Sequence, residues 1–83
     1  MIISKDQNEI FERVRRVVKD VLRIPEEAIS MDSEFETDLR ANSLDRMTIM
    51  LELEDEFNKE IPEEDIMSLS TIGEAVKYIE MNM

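Results

Sequence analysis

Helix breakers are almost missing from this sequence. Glycine occurs once, at position 73, and proline twice, at positions 25 and 62. The rest is rich in Glu, Lys, Arg, Ile, Leu and Met, residues at ease in helices, so the pattern points to an all-α fold. Eighty-three residues make one small domain, residues 1–83, with a modest core. No internal repeat or low-complexity run divides it.

Apolar spacing places the helices. Ile10, Val14, Val17, Val18 and Val21 share one face of a helix over residues 5–22, opened by a Ser4–Gln7 capping signature. Arg13, Arg15, Arg16, Lys19 and Arg23 fall mostly off that face and read as a solvated basic surface. Residues 23–42 form a long connection. Pro25 with Glu26 and Glu27 suits a short turn, and Ile24, Ile29, Phe35 and Leu39 are spaced to pin an ordered loop to the core. A second helix spans residues 43–57, with Asn42 as N-cap and Asp45 at its third position. Ile49, Met50, Leu53 and Phe57 form its core stripe, and Leu44, Met47 and Leu51 form a second stripe. That second stripe suits either docking or packing under the long loop. Pro62, at the first helical position before Glu63, Glu64 and Asp65, begins a short third helix. Thr71 and Glu74 form a capping box for a fourth, whose buried face is Ile72, Ala75, Val76 and Ile79. Gly73 weakens its first turn by roughly 1 kcal/mol relative to Ala.

Charge and missing residue types exclude several functions. The net charge is −11; residues 1–23 hold six basic and four acidic side chains, residues 24–83 four basic and seventeen acidic. A phosphate backbone repels such a chain, which argues against nucleic acid. The acidity suits partners with basic docking patches, and it also serves solubility. With no cysteine there are no disulfides or thiolate metal sites, and any thiol chemistry needs an imported thiol. No apolar run reaches the roughly 20 residues of a membrane span, and Met1-Ile2-Ile3-Ser4 is too short for a signal core. The expectation is a soluble, monomeric cytoplasmic protein without membrane insertion. The acids from Glu52 to Asp65 lack the glycine and the ligand spacing of a calcium loop, and no metal site is expected. No carboxylate pair is marked out for acid–base work, so catalytic residues are not expected and the chain does not read as an enzyme.

Ser43 stands out by context. It starts a helix, and no histidine or cysteine exists to make it a nucleophile of the chain's own chemistry. A serine so placed caps a helix or accepts a group from another enzyme. The surrounding residues, Phe35, Asp38, Leu39, Ala41, Asn42, Ser43, Leu44 and Asp45, then Leu53 to Phe57, Glu60-Ile61-Pro62, Thr71-Ile72 and Tyr78-Ile79, resemble the acyl carrier protein family. The resemblance runs from the first helix to the fourth without insertion.

That resemblance implies a four-helix bundle with a short third helix and a long loop between the first two. It implies that a phosphopantetheinyl transferase moves 4′-phosphopantetheine from coenzyme A onto Ser43, and that acyl groups ride on the arm as thioesters. It further implies acyl-loading and acyl-transferring partners with basic patches, meeting the second helix, and shelter of the acyl chain between helices. On this chain the candidate contacts are Asp38, Asn42, Leu44, Asp45, Arg46, Met47, Leu51, Glu52 and Asp55. Three features depart from the family: Asn42 replaces the usual Asp before the serine, Arg40 stands where Gly is frequent, and Arg46 and Thr48 replace a neutral residue and an acid. The helix start is thus less acidic than usual, which suggests a dedicated fatty-acid, lipid or polyketide pathway. An aminoacyl or peptidyl carrier of the same fold, and an unmodified helical module, are the alternatives.

Overall fold

The computed structural model describes residues 7–82, so the Ser4 cap and the first residues of the expected first helix lie outside the described residues. Four α-helices follow in order: α1 (Gln7–Leu22), α2 (Ser43–Phe57), α3 (Glu63–Ser68) and α4 (Ile72–Met81), with a 3₁₀ turn at Glu26–Ala28 in the first connection. The all-α fold and its short third helix match the sequence reading.

α1 is the central element and packs against both α2 and α4. It contributes Ile10, Val14 and Val18 to the core, which Ile49, Met50 and Leu53 meet from α2 and Ile72, Ala75, Val76 and Ile79 from α4. These are the faces that helical spacing selects. Phe57 packs on the core as expected, at its edge. It sits half-buried in the last turn of α2 under the Arg13 guanidinium, 4.4 Å from the ring centroid. Arg13 also donates from Nε to Glu56 Oε2 at 2.8 Å and from Nη2 to the Glu56 carbonyl at 2.9 Å. Arg15 bonds Glu12 at 2.6 Å and lies over the Phe11 ring. Part of the face expected to be merely solvated therefore braces α1 against α2.

The helix ends are built by caps and by left-handed residues. Arg23 (φ 58) closes α1, its N–H donating to the Lys19 carbonyl at 2.8 Å. Asn58 (φ 55) closes α2, and the Asn58 and Lys59 N–H groups share the Glu54 carbonyl. The Glu54 carboxylate reaches on to accept from Ile61 N–H at 2.6 Å. Pro62 occupies the N-cap of α3 rather than its first helical position, because its ψ of 147° is extended. At α4 the Thr71 hydroxyl accepts from Glu74 N–H as expected, but the Glu74 carboxylate accepts from Ser70 N–H instead of closing the box on Thr71.

The long connection is ordered by backbone bonds to the start of α4. Phe35 N–H donates to Ser70 O at 2.9 Å, Ile72 N–H to Ser33 O at 3.0 Å and Gly73 N–H to Met31 O at 2.8 Å. Ile29, Phe35 and Leu39 are buried as expected, and Ile24 is half-buried. Burying a side chain the size of Phe35 contributes about 1.5–3 kcal/mol. This stitching delivers residues 34–42 to the top of α2.

Candidate functional site

The turn before α2 is closed on itself. Glu34 N–H donates to the Asp38 carboxylate at 2.8 Å, Leu39 N–H to Glu34 O at 3.0 Å, and Ala41 N–H to Phe35 O at 2.7 Å. Arg40 takes φ 57 within it, the left-handed region that a glycine occupies without cost. Ala41 is buried, which anchors the chain immediately before the helix.

Asn42 then forms a complete capping box. Its Oδ1 accepts from Asp45 N–H at 2.8 Å, and the Asp45 carboxylate accepts from Asn42 N–H at 3.3 Å. Of the donors that a helix start leaves open, these bonds satisfy the cap and the third position. The Ser43 and Leu44 N–H groups, at the first and second positions, remain for water or an anion. Ser43 itself is exposed, and its hydroxyl has no hydrogen-bond partner among the described residues. A free hydroxyl on a rigid, capped helix start, beside open N–H donors, fits a covalently attached phosphate-bearing arm. No group of three or more His, Cys, Asp or Glu side chains is placed to hold a metal ion among the described residues.

The other sequence-selected residues divide between two surroundings. Leu44 is 74% exposed and Leu51 60% exposed, so packing under the long loop does not apply to them. With Asp55 they follow one side of α2 by their spacing, and Glu52 lies exposed beside them. Met47 is half-buried and packs on the core. Asp38 and Asn42 are exposed, yet both are committed to bonds that shape the turn and the helix start.

Arg46 departs most from the sequence reading, which treats it as a free positive charge beside Ser43. It is half-buried, and its Nη2 donates to the Leu69 carbonyl at 2.5 Å, tying α2 to the end of α3. Sequence reasoning also misses the Tyr78–Asp65 bond of 2.6 Å that ties α4 to α3. The hydrogen bond to Asp65 first, then burial, pushes the Tyr78 hydroxyl up to about 12. An aromatic hydroxyl thirteen residues from an acid carries no spacing signal in sequence.

Compared with known protein families, residues 12–79 match the family described as phosphopantetheine attachment site. The match spans most of the chain, and the chain belongs to that family. Its role is that of a phosphopantetheine carrier, and the group it takes is covalent 4′-phosphopantetheine. Carrier domains interact with the enzymes that modify them and with those that handle their cargo. No helix among the described residues is long and apolar enough to cross a membrane.

Proposed function

We propose that Ser43 is the attachment residue and that the chain is an acyl carrier protein. The observation that carries this reading is the exposed, unbonded Ser43 hydroxyl at the first position of a fully capped helix. In the attachment step Ser43 Oγ attacks the pantetheine-side phosphorus of the coenzyme A pyrophosphate. An O–P bond forms at serine, the pyrophosphate bond breaks, and adenosine 3′,5′-bisphosphate leaves. The serine proton passes to a base of the transferase. The arm supplies the thiol that this cysteine-free chain lacks, and acyl groups join it as thioesters.

Asn42 does not weaken this reading structurally, because it holds the helix start as fully as a capping residue can. What it removes is a negative charge. With Arg40 two residues earlier and Thr48 in place of an acid, the neighbourhood of Ser43 lacks the acidity that generalist partners of the family meet. That supports service in a dedicated fatty-acid, lipid or polyketide pathway. The exposed Leu44, Leu51, Glu52 and Asp55 form the surface offered to loading and transferring enzymes, whose basic patches suit the acids.

The test is intact-protein mass after incubation with coenzyme A, magnesium and a broad-specificity phosphopantetheinyl transferase. Wild type gains one arm, and Ser43→Ala stays folded and bare. A wild type left unmodified by several transferases overturns the assignment, and so does a Ser43→Ala variant that still gains the arm.

A further inference from the structure

Arg46 follows Ser43 by three residues, so the two lie on the same side of α2 about one turn apart. Besides the 2.5 Å bond to the Leu69 carbonyl, its Nη2 makes a longer 3.4 Å contact with the Ile66 carbonyl. Both oxygens belong to the end of α3, and the Ile66 carbonyl also accepts from the Leu69 N–H at 3.2 Å. The guanidinium carbon stands 6.0 Å from the centroid of the buried Phe35 ring. Its Nε is sealed from solvent and has no hydrogen-bond partner. A buried charged donor without an acceptor is costly, so the other contacts of the side chain hold it in this place. The side chain therefore plugs the seam between α2 and α3 at the level just below Ser43. α3 is only six residues long, and the Tyr78 hydroxyl also holds it through Asp65.

We propose that Arg46 is a latch that keeps this seam shut, so that a group carried on Ser43 stays outside the core. The cargo class that follows is a short or polar acyl group, not a long alkyl chain. This inference rests on the carrier reading of Ser43. An alkyl chain tethered beside an apolar interior gains with every methylene it buries. To enter here it has to displace the guanidinium and strip the Leu69 carbonyl of that donor, beside the buried Ile66 and Leu69 side chains. A short or polar group has no such incentive and is indifferent to the latch.

The test loads wild type and Arg46→Met with acetyl, octanoyl and dodecanoyl arms from the corresponding acyl-coenzyme A, each confirmed by mass. Thermal midpoints are then compared. Met keeps the stem and drops the unpaired Nε, which favours a folded variant; Arg46→Lys is the second variant, keeping charge without the planar fork. In wild type the midpoint stays flat with chain length. In Arg46→Met it rises from acetyl to dodecanoyl by about 4 °C or more, because a guest held only by the folded state stabilises it. A wild-type midpoint that climbs with chain length overturns the latch, and so do flat midpoints in both proteins. Failure of loading, seen by mass, instead defeats the reading of Ser43. The latch then still faces a readout on the bare protein: amide exchange of Leu69, whose N–H donates to Ile66 O, is faster in Arg46→Met by about tenfold or more. Unchanged exchange there overturns it.

Discussion

Replacing Gly73 with alanine should destabilise this protein, although helix propensity says the opposite. Gly73 lies in the first turn of α4 and has no positive φ, so the left-handed region is not the reason for glycine. Close approach is the reason. A Cβ at this position falls 2.9 Å from the backbone oxygen of Met31 and 3.6 Å from the Met31 methyl carbon. The methyl group can swing aside, but the carbonyl cannot easily do so. It accepts the Gly73 N–H at 2.8 Å, next to the Ile72–Ser33 and Phe35–Ser70 bonds. Moving it by a few tenths of an ångström stretches that set of bonds. Overpacking of this kind costs about 1–3 kcal/mol, and each hydrogen bond weakened in a semi-buried place adds up to about 1 kcal/mol. The gain in propensity is about 1 kcal/mol at most. The net is a loss of about 1–2 kcal/mol, a fall of roughly 5–15 °C in thermal midpoint for a domain of this size. Urea unfolding of Gly73→Ala against wild type gives the difference directly, provided the slope is unchanged. Amide exchange at Phe35 should rise along with it, since that N–H shares the stitched segment. A variant as stable as wild type or more so refutes the argument. It would mean that residues 31–35 yield freely and that the long connection is not held by its approach to α4.

Tyr78 is the one tyrosine of the chain, so its titration is read without overlap from tyrosinate absorbance. The hydroxyl should ionise near pH 12 in the folded protein, near its ordinary 10.0 when unfolded, and below the wild-type value in folded Asp65→Asn, where only the effect of burial remains. Because the folded value is the higher, the stabilisation is fully present below pH 10 and is lost as pH rises toward 12. A wild-type titration centred on the ordinary value refutes the tie between α3 and α4.

The helices were legible because a buried face repeats along one segment. Ile10, Val14 and Val18, or Ile72, Ala75, Val76 and Ile79, declare themselves by spacing alone. The anchors of the long loop were legible for a related reason: an isolated Phe or Ile amid polar residues has few places to go but the core. The bonds that order the loop were not. They join backbone groups of residues 31–35 to those of residues 70–73, and backbone groups carry no side-chain signature. A helical wheel ranks residues by polarity and so leaves Arg46 on the surface. It does not see that a long apolar stem can run inward and carry its charge to carbonyls at the end of another helix. For the same reason Arg13 reads as solvated in the sequence although it stacks on Phe57 and bonds Glu56. At the candidate site the sequence marked Ser43, Asn42 and Asp45 by their order. The state of the Ser43 hydroxyl, free and facing solvent, needed the fold.

Arg40 carries a conformational cost that can be separated from its charge. It stands three residues before Ser43 at φ 57, where the Cβ of an L-residue crowds the following carbonyl. The turn allows no escape, since Ala41 N–H is fixed to Phe35 O at 2.7 Å and Leu39 N–H to Glu34 O at 3.0 Å. Arg40→Ala and Arg40→Gly remove the same charge and the same exposed side chain. They differ in the Cβ and in the freedom of the unfolded chain, and these oppose each other. The left-handed conformation costs an alanine about 1–2 kcal/mol, while glycine loses about 0.5–1 kcal/mol more entropy on folding. Arg40→Gly should therefore be the more stable of the two by about 0.5–1 kcal/mol, or about 2–8 °C in thermal midpoint. The gap should persist at high salt, because it contains no charge term, whereas the difference of Arg40→Ala from wild type should shrink as ions screen the site. If Arg40→Gly proves equal to Arg40→Ala or less stable, the turn before Ser43 relaxes on substitution, and the strain assigned to it is not there.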